Sequence, residues 1–235
     1  MRYYGGKART GKEIAKILKE FVSDTKGYIE PFCGALGVMR HMSEYNCYAS
    51  DGCKDLIMLW KEVQEDKFEK PEMTEEKWEE LKESKIPSAL RAYAGFGCSF
   101  GGQWFKGYAQ KYSKVRNYND STYNGIQKIK HNIKKVKFSH RDYKKHHKKI
   151  ENGGYLIYCD PPYTNSFQNH KGSTHGFDHQ EFWNTMRKWT RWGNIVVVSE
   201  RSAPKDFKCI WSKSLHNSVC KESRWYTDKL FKLAI

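Results

Sequence analysis

Asp160, Pro161, Pro162 and Tyr163 stand together where the apolar run Tyr155 to Tyr158 stops, in the stretch GYLIYCDPPYTNSF. A carboxylate accepts hydrogen bonds, and the carbonyl of Pro161 accepts another. The two prolines have no N–H, so nothing in the turn competes with a donor arriving from outside. Tyr163 adds a face on which a flat ring can stack. An exocyclic amino group donates two hydrogens, and this turn can accept both. On its own, Asp-Pro-Pro is ordinary turn chemistry. At the carboxyl end of a buried strand, however, it occupies the place where open α/β sheets hold their ligands.

A second constellation is YIEPFCGALG, residues 28 to 37. A strand, a turn and a helix start joined by glycines let backbone approach a ligand closely. The dinucleotide fingerprint needs three glycines, and only Gly34 and Gly37 fit, so taken alone this is turn chemistry. Asp51 strengthens the reading. It ends the next strand about 20 residues on, where an acid holds ribose hydroxyls. Together they suit an adenosine-containing cofactor without committing to a nicotinamide one. A third stretch, RYYGGK, puts Lys7 behind two glycines, where it can meet an anionic group; basic N-termini are commonly just solvated.

The elements that must position these residues alternate between apolar strands and helical periods, which predicts an α/β layer fold. Lys12 to Phe21 places Ile14, Ile17, Leu18 and Phe21 on one helical face. The pattern then predicts a strand over 27–30, a helix over 36–45, a strand ending at Asp51 and a helix over 54–64. Residues 61–85 carry many glutamates on a solvated helix. After them comes a glycine- and aromatic-rich stretch without a clean period, interleaved with Lys106, Lys111, Lys114 and Arg116. A helix from about residue 126 leads into the strand KVKFSHRDY. Further on, a helix over 180–192 buries Phe182, Met186 and Trp189. Strands follow at 194–199, 208–215 and 228–235. Residues 60–135 thus read as an insertion between two halves of one parallel sheet, 1–59 and 136–235.

Composition narrows the partners. Lysine and arginine total 42 against 27 acidic residues, a formal charge of +15, which favours a polyanion such as nucleic acid. No segment approaches the roughly 20 apolar residues of a membrane helix, and no signal-peptide block opens the chain. A cytoplasmic protein, monomeric, is the expectation. The seven cysteines are scattered and form no C-x-x-C pair, so no zinc site is expected and the thiols should be reduced. His170, His175 and His179 have ligand-like spacing but lie in a Gly-, Ser- and Asn-rich loop, so metal binding is not expected there.

Taken in order, RYYGGK, EPFCGALG, Asp51 and DPPY resemble the Dam-type, alpha-group (D12 class) DNA adenine-N6 methyltransferases. FDHQEFW and NIVVVSE are similar to that family's later helix and strand. The resemblance spans 1–59 and 136–235 and hardly touches the insertion, where the family carries its target-recognition domain. It implies a Rossmann-like S-adenosylmethionine-dependent methyltransferase sheet with an inserted, mostly helical recognition domain. By position, Tyr3 and Lys7 would line the S-adenosylmethionine pocket, Tyr4 replacing Tyr3 if the register slips by one. Glu30, Phe32 and Gly34 would form its floor, and Asp51 would bind the ribose. Asp160, Pro161, Pro162 and Tyr163 would hold the target adenine, with Asp160 also near the cofactor's methionine end. A compact chain of this kind suits a phage or prophage gene.

The implied reaction moves a methyl group from a sulfonium to N6 of an adenine flipped out of duplex DNA. The same pocket would accept cytosine N4, an RNA adenine or a glutamine side chain, and a nucleic-acid-binding protein with a decayed site is the reading from outside the enzymes. Cytosine-C5 chemistry is excluded, because no Pro-Cys dipeptide occurs. The basic run KIKHNIKKVKFSHRDYKKHHKK, including Lys134 and Lys135, would contact phosphates, or else be a solvated basic face. Gln103, Lys106, Arg116 and Asn117 in the insertion are chemically able to read base edges. The insertion departs from the family: the arginine- and asparagine-rich hairpin of GATC-reading Dam proteins is absent from GCSFGGQWFKGYAQKYSKVRN, which puts GATC in doubt as the target.

Overall fold

The computed structural model describes residues 1–113, 115–163, 177–217 and 224–234. Helix α1 spans Gly11–Lys19 and buries Ile14, Ala15 and Leu18, three positions of one stripe. Strand β1, Tyr28–Glu30, is buried throughout. The helix expected over 36–45 is not there: only Met39–His41 forms a single 3₁₀ turn. The cause lies at its start, where Gly34 and Leu36 have φ of +45° and +58°, left-handed values that a helix cannot contain. Strand β2, Cys47–Asp51, and helix α2, Lys54–Gln64, follow as predicted.

Helix α3, Glu75–Glu83, is capped by Thr74 and buries only Trp78 and Leu81, as its glutamate-rich sequence demands. Helix α4, Ala89–Ala92, continues into a wide turn over Tyr93–Gly97. Helix α5 spans Tyr118–Lys130, eight residues earlier than its apolar period announced. The start is set by a cap: Asn117 accepts a hydrogen bond from the Asp120 N–H at 3.0 Å. Strand β3 is Lys137–His140, helix α6 His147–Ile150 and strand β4 Leu156–Cys159. Helix α7, His179–Arg191, is capped by Asp178 and leads to strand β5, Ile195–Glu200. Strands β6, Phe207–Asn217, and β7, Arg224–Leu233, end the chain and are longer than predicted.

The seven strands form one sheet in the order β3-β2-β1-β4-β5-β7-β6. The first five run parallel. The sheet is not parallel throughout, as the sequence suggested, because β7 runs antiparallel to β5 and to β6. A hairpin joins antiparallel neighbours directly, whereas a parallel pair needs a long crossover. This is a Rossmann-like open sheet. Its order reverses at β1, which pairs with β2 on one side and β4 on the other, and the carboxyl ends at such a reversal are where open α/β sheets hold their ligands.

Alternation along the strands feeds two cores. Tyr28, Leu156, Tyr158 and Val197 face one cluster, with Ile14, Leu18, Trp60, Trp78, Tyr93 and Phe96. Ile29, Ile157, Cys159 and Val198 face the other, with Phe182, Met186 and Trp189 of α7 at 0 to 1% exposure, the packing their spacing predicted. Each large side chain buried this way contributes about 1.5–3 kcal/mol. The expected insertion boundary at 59/60 falls inside α2, and Trp60, Trp78 and Phe96 share a cluster with α1, so 60–135 is packed into the sheet's own core. Among the described residues no helix is long and apolar enough to cross a membrane.

Candidate active site

Proline ends β4, and the chain leaves the sheet at Asp160 beside the N-terminal segment. Lys7 Nζ lies 2.8 Å from Asp160 Oδ1 and also donates to the Gly5 carbonyl at 3.3 Å. The pair is screened from water: the two side chains are 6% and 18% exposed. The Lys7 ammonium also sits 4.8 Å from the centre of the Tyr163 ring, and the Arg201 guanidinium 5.9 Å from it. Tyr163 shares a 2.7 Å hydrogen bond with Ser199, at the end of β5. On β7, buried Asp228 accepts from the Thr10 hydroxyl at 3.3 Å. Lys7 thus pairs with Asp160 and feels the more distant charge of Asp228.

The glycine turn packs against this corner. A Cβ on Gly34 would lie 3.1 Å from the Tyr3 ring, and one on Gly11 would lie 2.0 Å from the Gly37 carbonyl. No side chain fits at Gly11, and a Cβ on Gly37 would lie 3.0 Å from Lys7, so RYYGGK and EPFCGALG touch through their glycines. Asp51 fastens the turn: its two oxygens accept the Gly34 N–H at 3.0 Å and the Cys53 N–H at 2.9 Å. The Trp60 indole donates to the Gly34 carbonyl at 2.9 Å. A carboxylate oxygen has two lone pairs, so Asp51, half-buried, retains acceptor capacity for hydroxyl groups.

Burial dominates the electrostatics. Glu30, 2% exposed at the end of β1, is pushed up to about 8 by desolvation, with the Tyr28 hydroxyl, donating at 2.5 Å, pulling the other way. Desolvation also raises Asp160; Lys7 offsets part of this, and Asp228 adds to it. Burial alone would lower Lys7, but Asp160 beside it more than reverses that, so the lysine stays charged. Tyr163 is raised by burial and by Asp160, and stays a neutral phenol. The corner offers carboxylate acceptors, one fixed ammonium and three aromatic rings, from Tyr3, Tyr163 and half-buried Phe32. That donor set suits an adenosine compound bearing a positive charge.

Of the remaining expected residues, the two prolines and Phe32 stay at the corner. Pro161 is buried and Pro162 half-buried beside Asp160. Phe32 packs on Tyr143, Phe177 and Phe182 at 5.2 to 6.0 Å between ring centres, which ties the turn to α7. Gln103 lies in a turn held to the N-terminal segment, where the Tyr4 N–H donates to the Gly102 carbonyl at 3.0 Å. Arg2 sits 4.5 Å over the Tyr118 ring, so the start of α5 also flanks that segment. There Asn117 spends its side-chain oxygen on the helix cap, and Arg116 donates to Ser121 at 2.8 Å. Lys106 is exposed.

Lys134 and Lys135 are not brought to the site. They precede β3, which runs parallel to β2, so they lie at the amino edge of the sheet while Asp51 and Asp160 lie at its carboxyl edge. Lys134 is paired there with Asp66 at 2.6 Å. His170 and His175 fall outside the described residues, and among the described residues no group of His, Cys, Asp and Glu has a metal-ligand arrangement. Sequence reasoning missed Trp60, Thr10, Ser199 and Asp228. Asp228 had a signal: Tyr226, Asp228 and Leu230 alternate on one strand face, and an acid in phase with a core leucine points inward.

An open groove of about 560 Å³ along α1, lined by Arg9, Lys12, Glu13, Lys16, Lys19 and His41, contains none of the expected site residues. Compared with known families, the model of the D12 class N6 adenine-specific DNA methyltransferases matches residues 3–93 and 102–227. No curated protein sequence matches. Among solved structures, two of the rRNA methyltransferase aviRa from Streptomyces viridochromogenes, at 2.4 and 1.5 Å, give TM-scores of 0.40 and 0.41. Each is 11% identical, over 94% of this chain and 84% of that one.

Proposed function

The chain belongs to the D12 class of N6 adenine-specific DNA methyltransferases, and on that premise we propose that it methylates adenine in duplex DNA at the corner built by Lys7, Asp51 and Asp160. The observation that carries the assignment of the site is the buried Lys7–Asp160 pair, which joins the N-terminal motif to Asp-Pro-Pro-Tyr at the sheet's switch point.

S-adenosylmethionine would be held by Tyr3, Glu30, Gly34 and Asp51, and when bound it supplies an electrophilic methyl group. The remaining work belongs to side chains. The adenine amine is a poor nucleophile, because its lone pair is delocalised into the ring. Asp160 and the Pro161 carbonyl accept its two hydrogens and favour a pyramidal nitrogen with developing positive charge. Lys7 fixes the Asp160 carboxylate in place, so orientation is set before the base arrives. Asp160 need not be a strong base, since the methylated nitrogen loses its proton readily. Tyr163 offers a ring to the flipped base, its hydroxyl anchored on Ser199. Residues 60–135 would read the sequence around the target, with Gln103 and Arg116 on the side nearest the N-terminal segment.

The test is product analysis. Purified protein, unmethylated duplex DNA and methyl-labelled S-adenosylmethionine are incubated, and the DNA is digested to nucleosides for mass spectrometry. Label in N6-methyladenine is the expected outcome. Label in N4-methylcytosine would move the substrate, and label in RNA offered alongside, with none in DNA, would overturn the duplex.

A further inference from the structure

Strands β6 and β7 outrun the sheet. β7 pairs with β5 only from Val197↔Lys232 to Glu200↔Lys229. From there Arg224–Asp228 pairs with Lys213–Asn217 alone, so a two-stranded ribbon overhangs the end of β5 by five residue pairs, roughly 17 Å. The overhang leaves from the carboxyl edge, because β5 runs parallel to β4, whose next residue is Asp160. Its root is Asp228, buried and held by Thr10.

Farther out the ribbon changes character. Trp225 is 72% exposed and meets His216, its cross-strand partner, edge-on at 5.2 Å. A tryptophan that bare on a paired strand gains nothing from folding. Arg9 reaches across from the N-terminal segment and donates to the His216 carbonyl at 2.8 Å. Tyr226, on the face of Asp228, is raised by burial and by that carboxylate, with Arg9, Lys7 and Arg201 pulling the other way. Among the described side chains of the overhang, Lys213 is paired with Glu13 at 2.5 Å and Asp228 is an acid, so the exposed cations here are Arg9 and Arg201 at its root.

We infer that this ribbon is a second DNA contact, distinct from the insertion, which grips the duplex beside the flipped nucleotide. The inference rests on the reading of the site as a DNA adenine methyltransferase centre. Three features select duplex DNA as the occupant: the ribbon overhangs the edge where the target base must enter, the exposed guanidinium groups of Arg9 and Arg201 at its root complement phosphate, and exposed Trp225 offers an aromatic to a groove edge. Two-stranded ribbons fit grooves, and basic side chains flanking them bind phosphates. Arg9 and Arg201 are the phosphate contacts, and Trp225 packs on the sugar and base edges next to the target.

The experiment compares wild type with Trp225→Ala, Trp225→Phe and Arg201→Ala in steady-state methyl transfer and in binding to a fluorescein-labelled unmethylated duplex. Thermal melting first checks that each variant is folded. The expected result for Trp225→Ala is a KM for DNA raised roughly tenfold, the loss typical of an aromatic nucleic-acid contact, with the KM for S-adenosylmethionine unchanged and Trp225→Phe largely restored. For Arg201→Ala, the slope of log affinity against log salt should fall by about one. A wild-type enzyme that methylates DNA while Trp225→Ala keeps its KM for DNA would overturn the ribbon contact and leave the function standing. A Trp225-dependent shift from dimer to monomer would overturn it in favour of a second copy of the chain, and Trp225-dependent binding of RNA but not duplex would overturn it in favour of RNA. No methyl transfer to DNA by the wild type sinks the reading of the function and the ribbon with it.

Discussion

At the carboxyl edge of the sheet Lys7 and Asp160 are 6% and 18% exposed and lie 2.8 Å apart; at the amino edge Lys134 and Asp66 are 44% and 49% exposed and lie 2.6 Å apart. The contact distances nearly match, yet the two pairs do different work. An exposed pair exchanges water for a partner at little net gain, about 0–1 kcal/mol. In the buried pair each charge depends on the other, because the Gly5 carbonyl and the Tyr163 ring replace only part of the water that Lys7 gave up. Burial, not proximity, separates a site from a decorated surface. The same contrast explains why basic residues at 134 and 135 looked like site residues in the sequence: charge is visible there and burial is not.

The comparison can be broken most forcefully at its buried end. Asp160→Ala leaves Lys7 without its carboxylate in a site with little water, and should cost about 3–5 kcal/mol in urea unfolding. A loss under 1 kcal/mol would mean that the corner is wet. Next comes pH. Glu30 is raised to about 8 in the folded chain and has an ordinary carboxylate value when unfolded, so the folded state holds the extra proton. Its contribution is therefore fully present below the ordinary carboxylate value, is lost as pH rises toward 8, and is flat above. The slope is at most about 1.4 kcal/mol per pH unit. Unfolding of Glu30→Gln measured at pH 5, 6, 7 and 8 should lack that fall, and an unaltered slope would assign it elsewhere.

Smaller effects sharpen the picture. Trp60→Phe keeps most of the packing but removes the donor to the Gly34 carbonyl, which should cost about 1 kcal/mol and weaken S-adenosylmethionine binding in calorimetry. Unchanged cofactor binding would show that the turn holds its shape without the indole. Smallest of all, Lys134→Ala should move stability by no more than about 0.5 kcal/mol and leave the KM for DNA alone. A large rise in that KM would bring the amino edge back into the DNA surface.

Much of this was legible because strand ends carry local signals. Asp51 and Asp160 each close an apolar run, and parallel strands put such closures on one edge. The pairing of Lys7 with Asp160 was not legible: 153 residues separate them, and a strand order must be known before they meet. The missing helix over 36–45 failed for a local reason of another kind. Its apolar period is genuine, but left-handed backbone at Gly34 and Leu36 turns those residues into a packed loop. Helix α5 began early because an asparagine cap outweighed a weak period. Asp228 and Thr10 were hidden because a long hairpin folds back from the far end of the chain to reach the site.

The role proposed for Asp160, held by Lys7, is to accept the target amine. Single-turnover methyl transfer by Asp160→Asn tests it most directly, since asparagine keeps the shape and loses the charge. The expected rate is lowered by about 10²–10³-fold with S-adenosylmethionine and duplex DNA still bound. A rate within a few-fold of wild type would contradict it.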